Sequence, residues 1–316
     1  MGRGGENLSD NYQGKRVAKS GTVVILLAVA AIVVMMAAAA VMIYQKYWDK
    51  NPPPQPGSAA QSGTQRETET VGTISIDQPK PTYDFSQPAP EREAVDNSYF
   101  DDAAFVGDSR TDGFMLYSGI SAGKNLTSNG LSIFKLAEKK ALTIEGESYT
   151  LLEALALEKY GKVYISLGIN ELGYRNDKGF YRSYCAAIDE IRRLQPEAVI
   201  YIQGLIPVNE GQIMEASGRD YLTNDHLRVY NDLMRQAAEE KQVVYLDVYS
   251  VFADENGSLP DDASRDGVHL KKDPCRQWLD YLKTHTVEFD VLYPDGPPAV
   301  PEAETDTSTE DGSVQG

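Results

Sequence analysis

Positive charge is scarce in this chain. Its 316 residues carry 30 Lys and Arg against 47 Asp and Glu, a net charge of −17. A nucleic-acid partner demands a basic footprint to meet the phosphates, so that class of function is excluded. Histidine is rarer still: only His226, His269 and His285 are present, so a histidine-dependent mechanism has few candidates. The two cysteines, Cys185 and Cys275, are too few and too far apart for a zinc site or a disulfide-dense scaffold. No carboxylate–histidine spacing of the metallohydrolase kind occurs, so no metal and no cofactor are expected. A disulfide between Cys185 and Cys275 is chemically permitted outside the cytoplasm, provided their Cα atoms approach within about 7 Å.

What the first 50 residues do hold is one long stretch with no charge at all. Gly21 to Tyr44, GTVVILLAVAAIVVMMAAAAVMIY, is 24 residues long, enough to cross a bilayer core. Arg3, Lys15, Arg16 and Lys19 precede it, and Tyr44, Tyr47 and Trp48 stand where an interfacial aromatic belt would be. The basic excess predicts a cytoplasmic N-terminus over residues 1–20, a transmembrane signal-anchor over 21–44 and an extracellular remainder. A cleaved signal peptide is the rival, but its apolar region usually spans only about 7–15 residues.

From residue 45 to 96 the composition shifts to Pro, Ser, Gln, Thr and Glu, as in NPPPQPGSAAQSGTQRETET, which reads as a solvated linker. Residues 293–316 contain no Lys or Arg and read as a disordered acidic tail. Residues 97–292 between them are the size of one domain. Short β-rich apolar runs at Ala103–Val106, Val163–Leu167, Ala198–Gln203 and Val243–Val248 alternate there with helical stretches. Those stretches are Leu151–Lys159, Tyr181–Leu194, Asn224–Glu240 and Pro274–His285. The alternation predicts an α/β fold, a three-layer α/β/α arrangement around a parallel sheet. In such sheets ligands bind beyond the carboxyl ends of the strands.

Three chemistry-bearing turns follow strands. FVGDSRTDG places Gly107, Asp108 and Ser109 after the first; alone, this is ordinary turn and N-cap chemistry. LGINELG places Asn170 after Val163–Leu167, and RDGVHL places Asp266 and His269 after the last strand. Together they supply a nucleophile, an amide donor for an oxyanion, and an oriented base. Asp266 and His269, three apart in a turn, can meet so that the carboxylate accepts from Nδ1–H and leaves Nε2 to take the serine proton.

These blocks resemble the SGNH/GDSL hydrolase superfamily over roughly residues 100–286: a GDS turn, a glycine, a G-x-N turn and a D-x-x-H pair. The resemblance implies a flavodoxin-like sheet, a catalytic triad of Ser109, Asp266 and His269, and an oxyanion hole from Ser109, Gly130 and Asn170. Gly130 lies in SNGLS, with Gly123 the rival. The sequence departs from the family pattern at Arg110, where leucine is usual, and at Glu171, where aspartate is usual. Arg110, Glu171 and His226 are candidate substrate-binding residues, each with a structural alternative. His226 lies beside the polar segment Val208–Asp225, long enough to form a lid or a binding wall.

The activity so implied is a serine esterase removing O-acyl groups, commonly acetyl, from carbohydrates, lipids or other esters; the expected surface tether favours a cell-surface glycan as the substrate. An O-acetyltransferase with a membrane acyltransferase partner, and a non-catalytic glycan-binding module, are the alternatives.

Overall fold

The computed structural model describes residues 82–300; the apolar segment at 21–44 and most of the expected linker and tail lie outside them. Among the described residues no helix is long and apolar enough to cross a membrane.

A five-stranded sheet forms the centre: β1 (Ala103–Gly107), β2 (Lys124–Thr127), β5 (Lys162–Ser166), β6 (Val199–Gln203) and β7 (Val244–Leu246). Their order is β2-β1-β5-β6-β7 and every pairing is parallel. A small antiparallel hairpin, β3 (Leu142–Ile144) with β4 (Glu147–Tyr149), stands apart. The helices are α1 (Ser109–Tyr117), α2 (Leu151–Leu155), α3 (Asp177–Leu194), α4 (Glu210–Ser217), α5 (Asn224–Lys241), α6 (Val248–Phe252), α7 (Lys272–Thr284) and α8 (Phe289–Leu292).

Period-2 alternation divides the strand residues between two cores. Ala104, Val106, Val163, Ile165, Ile200 and Ile202 face one apolar cluster, which α3 and α5 cover. Phe105, Tyr164, Tyr201 and Leu246 face the other, which α1 and α7 cover. Burial on both faces explains the continuous apolar runs. On the second face, Phe105, Tyr164 and Tyr201 occupy one row of the register, with centroids 5.0 and 4.5 Å apart. The expected three-layer α/β/α arrangement is therefore the one found.

Element boundaries differ from expectation in places. Strand β2 was not expected, because KNLT offers only Leu126 to the core and lies at the sheet edge. Helix α2 stops at Leu155 rather than Lys159. The domain also extends beyond 97–292 at its start. Residues 83–96, expected as linker, lie against the body: Ala89 is buried, and its N–H donates to the Tyr245 carbonyl at 2.9 Å. Arg92 and Val95 donate to the carbonyls of Thr284 and Lys283 at the end of α7. Tyr293, expected as tail, is buried and stacks with Phe85.

The chain runs from β1 to the edge strand β2 in one direction, and through β5, β6 and β7 in the other. The order therefore reverses between β1 and β5, where open α/β sheets leave a crevice beyond the strand ends.

Candidate active site

That crevice receives the first two turns. Asp108 caps α1, accepting from the Arg110 N–H at 2.9 Å, so Ser109 is the first residue of the helix. Its own N–H lies in the first turn, where a helix leaves donors without internal partners. From the neighbouring strand β5 comes a short turn of 3-10 helix, Ile169–Glu171, carrying Asn170.

The third turn arrives from the loop before α7. Gly267 has φ +80°, and a Cβ there would stand 2.3 Å from the Asn209 carbonyl. Only glycine lets this turn dock so closely, and the Asn209 N–H donates to the Gly267 carbonyl at 2.9 Å. The docked turn places His269 Nε2 2.9 Å from Ser109 Oγ. His269 Nδ1 lies 2.6 Å from Asp266 Oδ2. The other Asp266 oxygen accepts from the backbone N–H groups of Val268 and His269 at 3.0 and 2.9 Å, and from Ser264 Oγ at 3.1 Å. Burial opposes ionisation of Asp266, but the His269 ring and these backbone donors outweigh it. They hold the carboxyl well below the usual carboxylate range. Ionised Asp266 is thereby fixed against the ring.

Asn170 Nδ2 donates to the Leu131 carbonyl at 2.9 Å and to Asp108 Oδ2 at a longer 3.3 Å. The longer contact is the weaker of the two, and its N–H is the one that can be shared with an incoming oxygen. Gly130 stands in the same pocket with φ +69°, and among the described residues its N–H has no protein acceptor. Gly123 is a packing glycine instead: a Cβ there would meet the Phe105 ring at 2.7 Å. The pocket, about 360 Å³, is lined by Ser109, Asn129, Gly130, Asn170, Arg219, Tyr221, Leu222 and His269. The polar segment 208–225 thus forms a wall of it. Sequence reasoning singled out that segment without reaching Arg219 and Tyr221, and it missed Asn129 and Ser264 entirely.

The three candidate substrate contacts are corrected by their surroundings. Arg110 is buried, and its guanidinium donates to the carbonyls of Ile206 and Pro207. Desolvation pulls its pKa down to about 10 against the nearby charges of Asp108 and Asp266. Glu171 is fully buried; one oxygen accepts from the Ile133 N–H and the other has no partner. Burial pushes Glu171 up to about 7 and Asp108 up to about 6, against the hydrogen bonds each accepts. Arg110 and Glu171 face inward because the segment after β6 and the turn at Ile133 close over them. His226 lies outside the Ser109 pocket, with Nδ1 3.0 Å from the Leu172 carbonyl and Nε2 2.9 Å from Asp177 Oδ1. Cys185 and Cys275 are buried free thiols, so the permitted disulfide is not formed. Among the described residues no group of three or more His, Cys, Asp or Glu is placed to hold a metal ion.

A serine, an imidazole and a carboxylate stand in one hydrogen-bonded line beside backbone N–H groups, the set of groups that acyl transfer through a serine requires. The chain belongs to the GDSL-like lipase/acylhydrolase family, whose model matches residues 105–273. It is an SGNH-type hydrolase. Solved structures similar to it include a protein from Streptococcus pneumonia described by reference to platelet activating factor. That protein is 21% identical, with 61% of this chain and 84% of that one covered at a TM-score of 0.48. Another is a GDSL-like lipase from Bacteroides thetaiotaomicron, 14% identical, covering 60% and 86% at 0.43. A third is the acetyl xylan esterase AlAXEase, 14% identical, covering 58% and 99% at 0.42. Among curated proteins, none matches this sequence.

Proposed function

We propose that this hydrolase is an extracytoplasmic serine esterase that removes O-acyl groups, chiefly acetyl, from carbohydrate at the cell surface. The observation that carries the catalytic part is the line from Ser109 Oγ through His269 to Asp266, at 2.9 and 2.6 Å. Ser109 Oγ attacks the ester carbonyl while His269 Nε2 takes its proton, and Asp266 stabilises the imidazolium. The tetrahedral oxyanion receives the N–H groups of Ser109, Gly130 and Asn170. Collapse breaks the ester C–O bond, and His269 returns the proton to the departing alcohol. Water, deprotonated by His269, then cleaves the acyl-serine to the free acid and restores Ser109.

The uncharged run from Gly21 to Tyr44, with its basic N-terminal flank, supports placement of the hydrolase outside the membrane. A tethered enzyme meets surface polymers first, and this favours a glycan as the substrate. The pocket is walled by the polar residues Asn129, Arg219 and Tyr221, which admits water as the acceptor. The test is twofold. Purified full-length protein is expected to release acetate from activated acetyl esters, and Ser109→Ala to release almost none. Deleting the gene is expected to raise the O-acetyl content of surface glycans by mass spectrometry. A fall on deletion favours transfer to the glycan instead.

A further inference from the structure

His269 lines two hollows. One is the pocket with Ser109 and Asn170; the other, of about 450 Å³, is lined by Tyr117, Arg265, Asp266, His269, Leu270, Lys271 and Lys272. Its polar lining, apart from the tyrosine hydroxyl and the triad members, is therefore cationic.

Three observations make this concentration of charge unusual. The whole chain carries −17, so three cations around one hollow run against its composition. Among the described residues, Arg265, Lys271 and Lys272 form no ion pair within 4 Å, whereas nearby Arg276 is paired with Asp273. The one carboxylate in the hollow, Asp266, is already engaged by His269 and two backbone N–H groups. Asp262 and Asp273 line an adjoining hollow that shares the three cations, and Asp273 is paired with Arg276.

The chemistry of the triad says which part of a substrate comes here. His269 must hand its proton to the leaving oxygen, so the alcohol half of the ester extends toward and past the imidazole. Resting on the serine esterase reading, we infer that this hollow binds a carboxylate or phosphate carried by the alcohol half of the substrate. Arg265, Lys271 and Lys272 supply the charge. Tyr117, 45% exposed, and Leu270 supply an apolar face for the ring or chain that bears it. Cations at such a rim act mainly through selection and rate of encounter, and salt screens them.

The experiment compares kcat/KM of the full-length protein in detergent on paired acetyl esters. Acetylglycerol phosphate is set against monoacetylglycerol, and an O-acetyl methyl uronate glycoside against its neutral hexose counterpart. The expected anionic-to-neutral ratio is about tenfold at low salt, falling toward one at ~1 M salt. A preference within the first pair alone assigns phosphate, and within the second alone carboxylate. In Arg265→Gln/Lys271→Gln/Lys272→Gln the ratio is expected to collapse toward one, while Lys283→Gln, at the far end of α7, leaves it unchanged. Lys272→Glu, a single exposed change, is expected to move it in the same direction. A ratio of one or less in wild-type enzyme, in both pairs, overturns the inference, as does a ratio unchanged in the triple variant. If turnover survives in Ser109→Ala, the esterase reading falls as well.

Discussion

The Arg110 guanidinium donates to the Ile206 carbonyl at 2.9 Å, joining the turn after β1 to the segment that leaves β6. Pro207 accepts from the same side chain, and two residues later Asn209 receives the Gly267 turn. The residue beside the candidate nucleophile is thus linked, through four residues of backbone, to the turn that carries His269. Arg110→Ala leaves two buried carbonyls without their donor. It is expected to lower stability by roughly 2–4 kcal/mol, read by urea denaturation, since breaking a buried network is among the costly single changes. Arg110→Lys reaches only one carbonyl and should fall between. A variant as stable as wild type would show that the link is dispensable.

Asn170 already spends one N–H on the Leu131 carbonyl at 2.9 Å, and this fixes the plane of its amide. Asn170→Ala is expected to lower kcat on an activated acetyl ester by roughly 10²–10³ with little change in KM, the cost of one oxyanion donor. Circular dichroism and thermal melting should stay close to wild type. An equal loss in KM would place the side chain in ground-state binding instead.

The two buried carboxyls, Asp108 at about 6 and Glu171 at about 7, make stability fall as pH rises. Both folded pKa values lie above the unfolded ones, so between about pH 4 and 7 the native state binds more protons than the unfolded chain. Their contribution is complete below about pH 4 and is lost as pH climbs through 6 and 7. Glu171→Gln keeps the shape without the charge. It should gain on the order of 2–3 kcal/mol over wild type at pH 8 relative to their difference at pH 4. Denaturation midpoints for the two proteins across that range test the sign; parallel curves would remove Glu171 as the source.

Much of this architecture was legible because burial writes itself into strands. Val163–Leu167 and Ala198–Gln203 are apolar on both faces, as covered parallel strands are, and the turn after the first of them carries Asn170. Ser109, Asn170, Asp266 and His269 could be singled out since each is a fixed offset from a strand end or from one another, and the fold brings them together. Arg110, Glu171 and His226 were misread for one reason. Sequence shows that a residue is polar and near a motif, but which way its side chain turns depends on helices and strands packed from far along the chain. Arg110 reaches a carbonyl 96 residues away, and Glu171 accepts from an N–H 38 residues away. Residues 83–96 misled by composition: prolines and charges suggest a linker, yet Tyr83, Phe85 and Ala89 are enough to hold the segment down.

That segment gives a further prediction. A soluble form cut to begin at residue 97 loses the Ala89, Arg92 and Val95 hydrogen bonds and strips Phe85 from the ring of Tyr293. One beginning at residue 82 keeps them. The shorter form is expected to melt several degrees lower, since about 1–2 kcal/mol shifts a domain of this size by roughly 2–8 °C. Equal melting temperatures would show that the N-terminal strap adds nothing.

The triad itself is tested most sharply at Asp266 rather than at Ser109. Ser109→Ala and His269→Ala should each abolish nearly all turnover, but any protein whose site is disturbed can do that. Asp266 makes two separable contributions: Oδ1 holds the turn through the N–H groups of Val268 and His269, and Oδ2 holds the ring through Nδ1. Asp266→Asn can keep Oδ1 as an acceptor and so preserve the turn. At the second position it presents NH₂, which forces Nδ1 to accept and puts the proton on Nε2. A ring protonated at Nε2 cannot take the Ser109 proton, so kcat should fall by about 10³–10⁴ while substrate affinity and melting temperature stay near wild type. Asp266→Ala loses both contributions and should lose stability as well as rate. Residual activity in Asp266→Asn should rise with pH as hydroxide replaces the missing base. A variant that retains wild-type kcat would mean that His269 takes its tautomer from some other partner, and the Ser109–His269–Asp266 line would lose its claim to be the catalytic one.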